Sequence, residues 1–205
     1  MTVEVVLASG NQGKLRELNR LFDEPRISVV GMKHLVPVRF EVDETGETFE
    51  ENAWLKALGV CAETGKPALA DDSGIEVDAL GGRPGVYSAR YAGGAGDEAN
   101  NALLLKELEN VPDEERTGRF RCVLAFAAPG PDGPRKVAVS SGAIEGRILR
   151  APRGSNGFGY DPLFEQFTWP GLTTAEISPE QKNELSHRAK AARVILPSLV
   201  AWLEG

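Results

Sequence analysis

The sequence predicts an α/β fold built on a mixed β-sheet. Three observations carry this. Apolar runs of strand length alternate with segments whose apolar residues recur at helical spacing, beginning with residues 3–8 and 13–23. Helix-start signals stand ahead of amphipathic segments at Thr48 and Ser178. The stretch Pro129-Gly130-Pro131-Asp132-Gly133-Pro134 joins two strand-like runs, 119–128 and 135–142, closely enough to make them an antiparallel hairpin. With strand–helix–strand units earlier in the chain, the sheet must be mixed or divided between two lobes.

The elements follow in order. Residues 3–8 form an apolar run with one Glu, a buried strand. Leu15, Leu18, Leu21 and Phe22 give the next segment a helical stripe, and 27–31 is a second strand. Residues 39–48 are acidic and irregular. Thr48-Phe49-Glu50-Glu51 is a capping box, opening a helix that Gly65 and Pro67 stop; Phe49, Ala53, Ala57 and Val60 are its buried stripe. Asn52, Lys56, Gly59 and Glu63 share another face, of the kind that is usually solvated. The run 67–70 is a strand, Ser73-Gly74 a turn, and 75–77 strand again. Asp97 is the expected cap of a third helix burying Leu103, Leu104 and Leu108, and 110–118 is polar linker. After the hairpin, 142–150 continues as strand and turn. Ser178-Pro179-Glu180-Gln181 opens the last helix, with Pro197 inside its apolar pattern and expected to kink it.

A chain of 205 residues suits one large domain or two lobes sharing a sheet, and 41% apolar with 26% charged residues is ordinary for a globular protein. The net charge of −7, without a basic stripe, argues against a nucleic-acid polymer as partner. No apolar run is long enough to span a membrane, and the N-terminal residues do not read as a secretion signal. Cys61 and Cys122 lie in apolar surroundings without metal spacing, which fits buried thiols in a reducing cytoplasm. His34 is isolated and reads as a surface residue.

Four stretches carry chemistry. Ser9-Gly10-Asn11-Gln12-Gly13-Lys14 lies between a strand and a helix, where main-chain N–H groups and a helix N-terminus can face a phosphate. It is not a Walker loop: the glycines are too close and Leu15 stands where Ser or Thr would hold Mg²⁺. Asp71 and Asp72 end a strand, where carboxylates can hold a metal, although Asp-Ser-Gly is also ordinary turn chemistry. Glu44, just ahead of the capped helix, is a further candidate ligand. Residues 153–162 are glycine-rich, with Phe158 and Tyr160 expected to be exposed, and an aromatic between glycines can lie flat on a base. Lys182, Asn183, His187 and Arg188 gather cations, an amide and an imidazole within seven residues.

Taken together and in order, Ser9-Gly10-Asn11 with Lys14, Glu44 to Lys56, Asp71-Asp72-Ser73-Gly74 with 84–90, Phe158-Gly159-Tyr160-Asp161-Pro162, and Lys182-Asn183 with Ser186-His187-Arg188 resemble the inosine/xanthosine triphosphate pyrophosphatases. The resemblance runs from about residue 3 to 203. Ser9 stands where Thr is commoner, Ile75 where Leu is commoner, and Pro197 is unusual; none touches the chemistry. The resemblance implies an α/β fold with an elongated mixed sheet, two lobes around a central nucleotide cleft, and a homodimer. It implies Mg²⁺-dependent cleavage of noncanonical purine nucleoside triphosphates to the monophosphate and pyrophosphate, clearing deaminated purines.

The residue types suit that chemistry. A triphosphate carries about four negative charges, so its site needs cations and a metal. Lys14, Lys56, Lys182 and Arg90 supply cations, and the 9–14 loop supplies N–H donors. Glu44 and Asp72 fit as metal ligands, with Asp71 in reserve, and the resemblance makes Asp72 base and ligand together. Ser73 adds a hydroxyl beside them. Phe158 would stack on the base, with Gly159, Tyr160, Asp161, His187 and Arg188 around its edge. The donor-only Arg188 suits a C6 carbonyl and disfavours adenine's amino group. Two other readings stay open: a septum-inhibitor-type nucleotide pyrophosphatase, which continues with paired arginines where Asn11 and Lys14 stand here, and a nucleotide sensor without turnover.

Overall fold

A computed structural model describes residues 2–38 and 40–205; Met1 and Arg39, the first residue of the expected acidic segment, lie outside the described residues. The elements are β1 (Val3–Leu7), α1 (Gln12–Leu21), β2 (Ile27–Gly31), α2 (Phe49–Thr64), β3 (Ala68–Val77), α3 (Asp97–Glu107), β4 (Thr117–Gly130), β5 (Gly133–Ile148), β6 (Phe164–Gln166), α4 (Pro179–Leu185) and α5 (His187–Glu204). The described strands form one sheet in the order β2-β1-β3-β4-β5-β6. β1 runs parallel to both neighbours, with Val3 opposite Ile27 and Val6 opposite Ala68, whereas β6 is antiparallel to β5. The sheet is therefore mixed, as expected of a chain that combines βαβ crossovers with a hairpin.

The chain divides into two compact units. The first comprises Met1–Asp72, Cys122–Gly142 and Arg188–Gly205. Its core joins Val5 and Leu7 of β1, Leu18 of α1, Val29 of β2, Leu69 of β3, Leu124 and Phe126 of β4, and Ile195 and Leu199 of α5. The second comprises Ser73–Arg121 and Ala143–His187. Its core joins Ile75 and Val77 of β3, Leu104, Leu108, Phe120, Tyr160, Leu163 and Phe164. Each such side chain contributes about 1.5–3 kcal/mol by leaving water.

Local signals set most boundaries. Thr48 and Glu51 close the capping box on α2, and Gly65 ends that helix in the left-handed conformation that glycine adopts without strain. Ser178 and Gln181 close a second box on α4. Four expectations change. First, β3 passes through Ser73 and Gly74 without turning. Gly74 serves close approach instead: a Cβ there would stand 2.4 Å from Ser88 Oγ and 2.6 Å from the Gly85 carbonyl oxygen. Second, Asp97 is the first residue of α3 and Gly96 is its cap. Third, the C-terminal helix is two helices, separated at Ser186, whose ψ of 159° is extended; α5 then continues through the exposed Pro197. Fourth, the 110–118 linker contains a buried cation. Arg116 donates to the carbonyls of Leu108, Ile148 and Leu149, so main-chain acceptors satisfy its guanidinium.

Among the described residues no helix is long and apolar enough to cross a membrane. Both cysteines are buried and unlinked, and His34 is exposed.

Candidate active site

The first unit holds a polar cluster around two consecutive carboxylates. Asp71 and Asp72 sit in the middle of β3, so their side chains leave opposite faces of the strand. Asp71 is fully buried. Lys14 Nζ lies 2.8 Å from its Oδ1 and Arg188 Nε donates to its Oδ2 at 2.5 Å. Arg188 also pairs with Glu17 of α1. Burial acts against the Asp71 anion, but Arg188 and Lys14 outweigh it and hold the carboxyl well below the usual carboxylate range. The Cys122 thiol, 3.5 Å from Asp71 Oδ2, is pushed up by burial and then by that anion.

Asp72 is treated differently. Its Oδ1 pairs with Lys56, whose Nζ also lies 3.2 Å from Glu44 Oε1. Its Oδ2 is buried and accepts no hydrogen bond among the described residues. Burial raises the Asp72 carboxyl above its usual range; Lys56 and Lys14 oppose this, while Glu44 adds to it. One ammonium shared between two carboxylates does not offset burial. Lys56 itself is held protonated, because Asp72 and Glu44 outweigh the burial that would lower it. Neighbouring aspartates pushed in opposite directions commonly divide a structural from a proton-accepting role.

Glu44 reaches this cluster because residues 42–46 lie along α2. Asn52, Lys56 and Gly59 share one face of that helix, and each meets an alternate residue of the segment. Asn52 bonds both main-chain groups of Gly46, at 2.8 and 3.2 Å. Lys56 meets Glu44. Gly59 admits Val42, whose Cγ2 would stand 2.8 Å from a Cβ at that glycine. Extended backbone repeats every two residues and the helix face every three to four, so the register is matched at three points. The face expected to be solvated is thus a docking surface, and Asn52 is fully buried.

The second unit holds a second cluster. Lys182 Nζ lies 2.7 Å from Asp161 Oδ2 and 5.0 Å from the Phe158 ring centroid. The same Asp161 oxygen accepts the Phe158 N–H at 2.9 Å. Gly157, at φ 80°, permits this tight return: a Cβ would stand 2.0 Å from that oxygen. Gly159 is held from both sides, its N–H donating to Asp97 Oδ2 and its carbonyl accepting from Asn101 Nδ2. His187 stacks on Phe120 at 4.9 Å. Phe158 is partly exposed. Tyr160, expected to be exposed, is instead buried in the core, with its hydroxyl donating to the Ser88 carbonyl.

The chain matches the Ham1 family over residues 5–198. It belongs to that family. It is 51% identical over 199 residues to a dITP/XTP pyrophosphatase of Thioalkalivibrio sulfidiphilus, covering 96% of this chain and 98% of the relative. It is 49% identical to one of Cutibacterium acnes, covering 98% of both. Among solved structures, a HAM1 protein from Coxiella burnetii superposes with a TM-score of 0.84 at 40% identity, covering 98% of this chain and all of that one. A nucleoside-triphosphatase/dITP/XTP pyrophosphatase from Mycobacterium abscessus gives 0.72 at 43% identity, over 95% of this chain and all of that one.

The expected site residues fall into two separate clusters. Lys14, Glu44, Lys56, Asp71, Asp72 and Arg188 form one cluster; Phe158, Asp161 and Lys182 form the other. Lys182, expected among the phosphate cations, sits with the Phe158 loop. In the 9–14 loop, Ser9 Oγ accepts the Asn11 N–H, and Asn11 Oδ1 accepts the N–H groups of Gly13 and Lys14. Those two donors, expected to face a phosphate, therefore cap α1. Gly10 and Gln12 are exposed beside them. Ser73 follows Asp72 in β3 and is partly buried. Arg90 lies over the Tyr87 ring at 5.2 Å. Sequence reasoning passed over Glu17, although it follows Lys14 by one helical turn; it also passed over Asn101, and gave Asn52 and Asp97 other roles.

Among the described residues no three or more His, Cys, Asp or Glu side chains gather as a metal site. Mg²⁺ does not need them, since it binds one or two carboxylates together with water and substrate phosphates. Glu44 and Asp72 offer hard oxygen donors, already converge on one cation, the Lys56 ammonium, and include the buried unpartnered Asp72 Oδ2. The donor set fits.

Proposed function

We propose that this chain hydrolyses the noncanonical purine nucleoside triphosphates dITP, ITP and XTP to the nucleoside monophosphate and pyrophosphate, with Mg²⁺ as cofactor. Membership of the Ham1 family and relatives named dITP/XTP pyrophosphatase support the reaction. The observation that carries the mechanism is the different pairing of two consecutive aspartates: Lys14 and Arg188 hold both oxygens of Asp71, whereas Asp72 is paired at Oδ1 and keeps a buried Oδ2 with no hydrogen bond among the described residues. Bound Mg²⁺ would be held by Glu44 and Asp72 and neutralise charge on the phosphate oxygens. Asp72 accepts a proton from the attacking water as the water oxygen forms the new bond to the α-phosphorus. The α–β bridging bond breaks, and pyrophosphate leaves with the electron pair. Asp71, locked as an anion, holds Lys14 and Arg188 in place. Lys14, Lys56 and Arg90 meet negative charge, with Ser9, Gly10, Asn11, Gln12 and Ser73 as neighbouring polar contacts, while Gly13 stays in the α1 cap.

In the same reading Phe158 stacks on the purine, and Gly159, Asp161, His187 and Arg188 read its edge, while Lys182 holds Asp161 and Tyr160 anchors the loop. Arg188 has five donors, and its bonds to Asp71 and Glu17 fix the plane of the fork. A homodimer is proposed on the resemblance, and a cytoplasmic setting on the two buried unlinked thiols.

The test is pyrophosphate release from ITP, dITP, XTP, ATP and GTP, with and without Mg²⁺. Release from the first three only, and only with metal, is expected. Equal rates on ATP would end the proposed selectivity, and tight binding without release from any would leave a sensor.

A further inference from the structure

Asn52 is wholly buried, and its amide satisfies both main-chain groups of Gly46, a residue two positions from Glu44. At Gly46 a Cβ would stand 2.6 Å from Glu51 Cβ and 2.8 Å from Asn52 Oδ1, so the glycine is pressed against the helix. Glu51 Oε2 accepts the next two N–H groups, of Glu47 and Thr48. On the other side of Glu44, Val42 packs into the gap at Gly59. Glu44 is therefore the charged middle of a segment fixed at both ends, with its carboxylate delivered to the cation that Asp72 also holds. Without the amide, both main-chain groups of Gly46 lose their partner, and the Val42–Gly59 contact and the Lys56 pair itself are left to register Glu44 on α2.

We infer that Asn52 is a positioning residue for metal binding: by clamping Gly46 it sets Glu44 beside Asp72. The inference rests on the reading of Glu44 and Asp72 as Mg²⁺ ligands. Hydrogen-bonding partners behind metal ligands typically change affinity by about 10–100-fold when removed. A structural amide elsewhere in the core would change stability alone.

The experiment uses the full chain with Asn52→Ser and, independently, Gly46→Ala, which disturbs the same contact while leaving Asn52 in place. Two readouts are taken. One is the Mg²⁺ concentration giving half-maximal pyrophosphate release from dITP. The other is Mn²⁺ binding in the presence of α,β-methylene dITP, followed by electron paramagnetic resonance. Both half-saturation values are expected to rise about tenfold in each variant, with turnover at saturating metal nearly unchanged. In a Glu44→Gln background the same substitutions are expected to add nothing further, because they act through Glu44. Unchanged metal half-saturation in a folded variant overturns the inference. So does an effect that persists in full without Glu44, or loss of folding in both variants. A wild-type chain active without divalent metal would instead overturn the underlying reading, whatever the variants do.

Discussion

Lys14 and Lys56 donate to the same atom, the main-chain carbonyl oxygen of Asp71, at 3.1 and 3.2 Å. One ammonium comes from α1 and the other from α2, and each continues to a different carboxylate, Lys14 to Asp71 and Lys56 to Asp72. The peptide linking the two aspartates is thus held by a pair of cations, which fixes the direction in which both side chains leave the strand. Like charges brought this close repel, and the buried anions around them, with Arg188 balanced by Glu17, make the arrangement tolerable.

This division predicts different consequences for substitutions one residue apart. Asp71→Asn leaves Lys14 and Arg188 without their buried counter-charge, and is expected to destabilise the fold by about 3–5 kcal/mol. Asp72→Asn keeps shape and removes the proton acceptor. Turnover is expected to fall about 10²-fold or more with little loss of stability. Urea denaturation and steady-state rates on the two proteins check this; similar stability losses in both would remove the distinction.

Phe158 is expected to act on binding. Stacking a base on an aromatic ring contributes about 1–3 kcal/mol, so Phe158→Ala should raise KM for dITP by about 5–150-fold with kcat far less affected. Phe158→Trp should retain most of the affinity. A loss confined to kcat would place the ring elsewhere in the mechanism.

Much of this was legible in the residues themselves. The caps at Thr48 and Ser178, the left-handed Gly65 and the apolar stripes of α1 and α2 are local, and local signals survive folding. What failed depended on partners distant in sequence. Ser73-Gly74 has turn composition, but Ser88 presses against Gly74 and the strand continues. Tyr160 sits among glycines, yet its ring finds the second core and its hydroxyl finds Ser88. Asn52 and Gly59 look like surface positions until residues 42–46 lie down on them. No periodicity in the chain announces such contacts. The conjunction of short motifs in order carried the family, whereas Glu17 and Asn101 find their partners, Arg188 and Gly159, only once the chain has folded.

Tyr160→Phe separates anchoring from recognition. The hydroxyl donates to the Ser88 carbonyl at 2.8 Å in a buried setting, where burial also pushes the phenol up and keeps it protonated. Removing it should destabilise the protein by about 1 kcal/mol and leave kcat/KM for dITP nearly unchanged. A large rise in KM at normal stability would return Tyr160 to the ligand contacts.

Glu165 gives the acid limb of stability. It is buried in β6; its Oε1 accepts the Gly171 N–H at 3.0 Å and the Arg147 guanidinium at 3.0 Å. The Gly171 bond lowers its carboxyl below the usual value of 4.5; burial opposes this, and Arg147 adds to the lowering. Because the folded value lies below the unfolded one, the native state binds this proton less readily. The anion's contribution is fully present above the unfolded value and is lost as pH falls through the folded one. Glu165→Gln should therefore lower the urea midpoint at pH 7, and the gap from wild type should close as pH drops below 4.5. Both proteins would then present a neutral side chain to Arg147 and Gly171. A gap that stayed constant from pH 7 to pH 3 would show that the carboxylate acts through packing, with its charge contributing nothing.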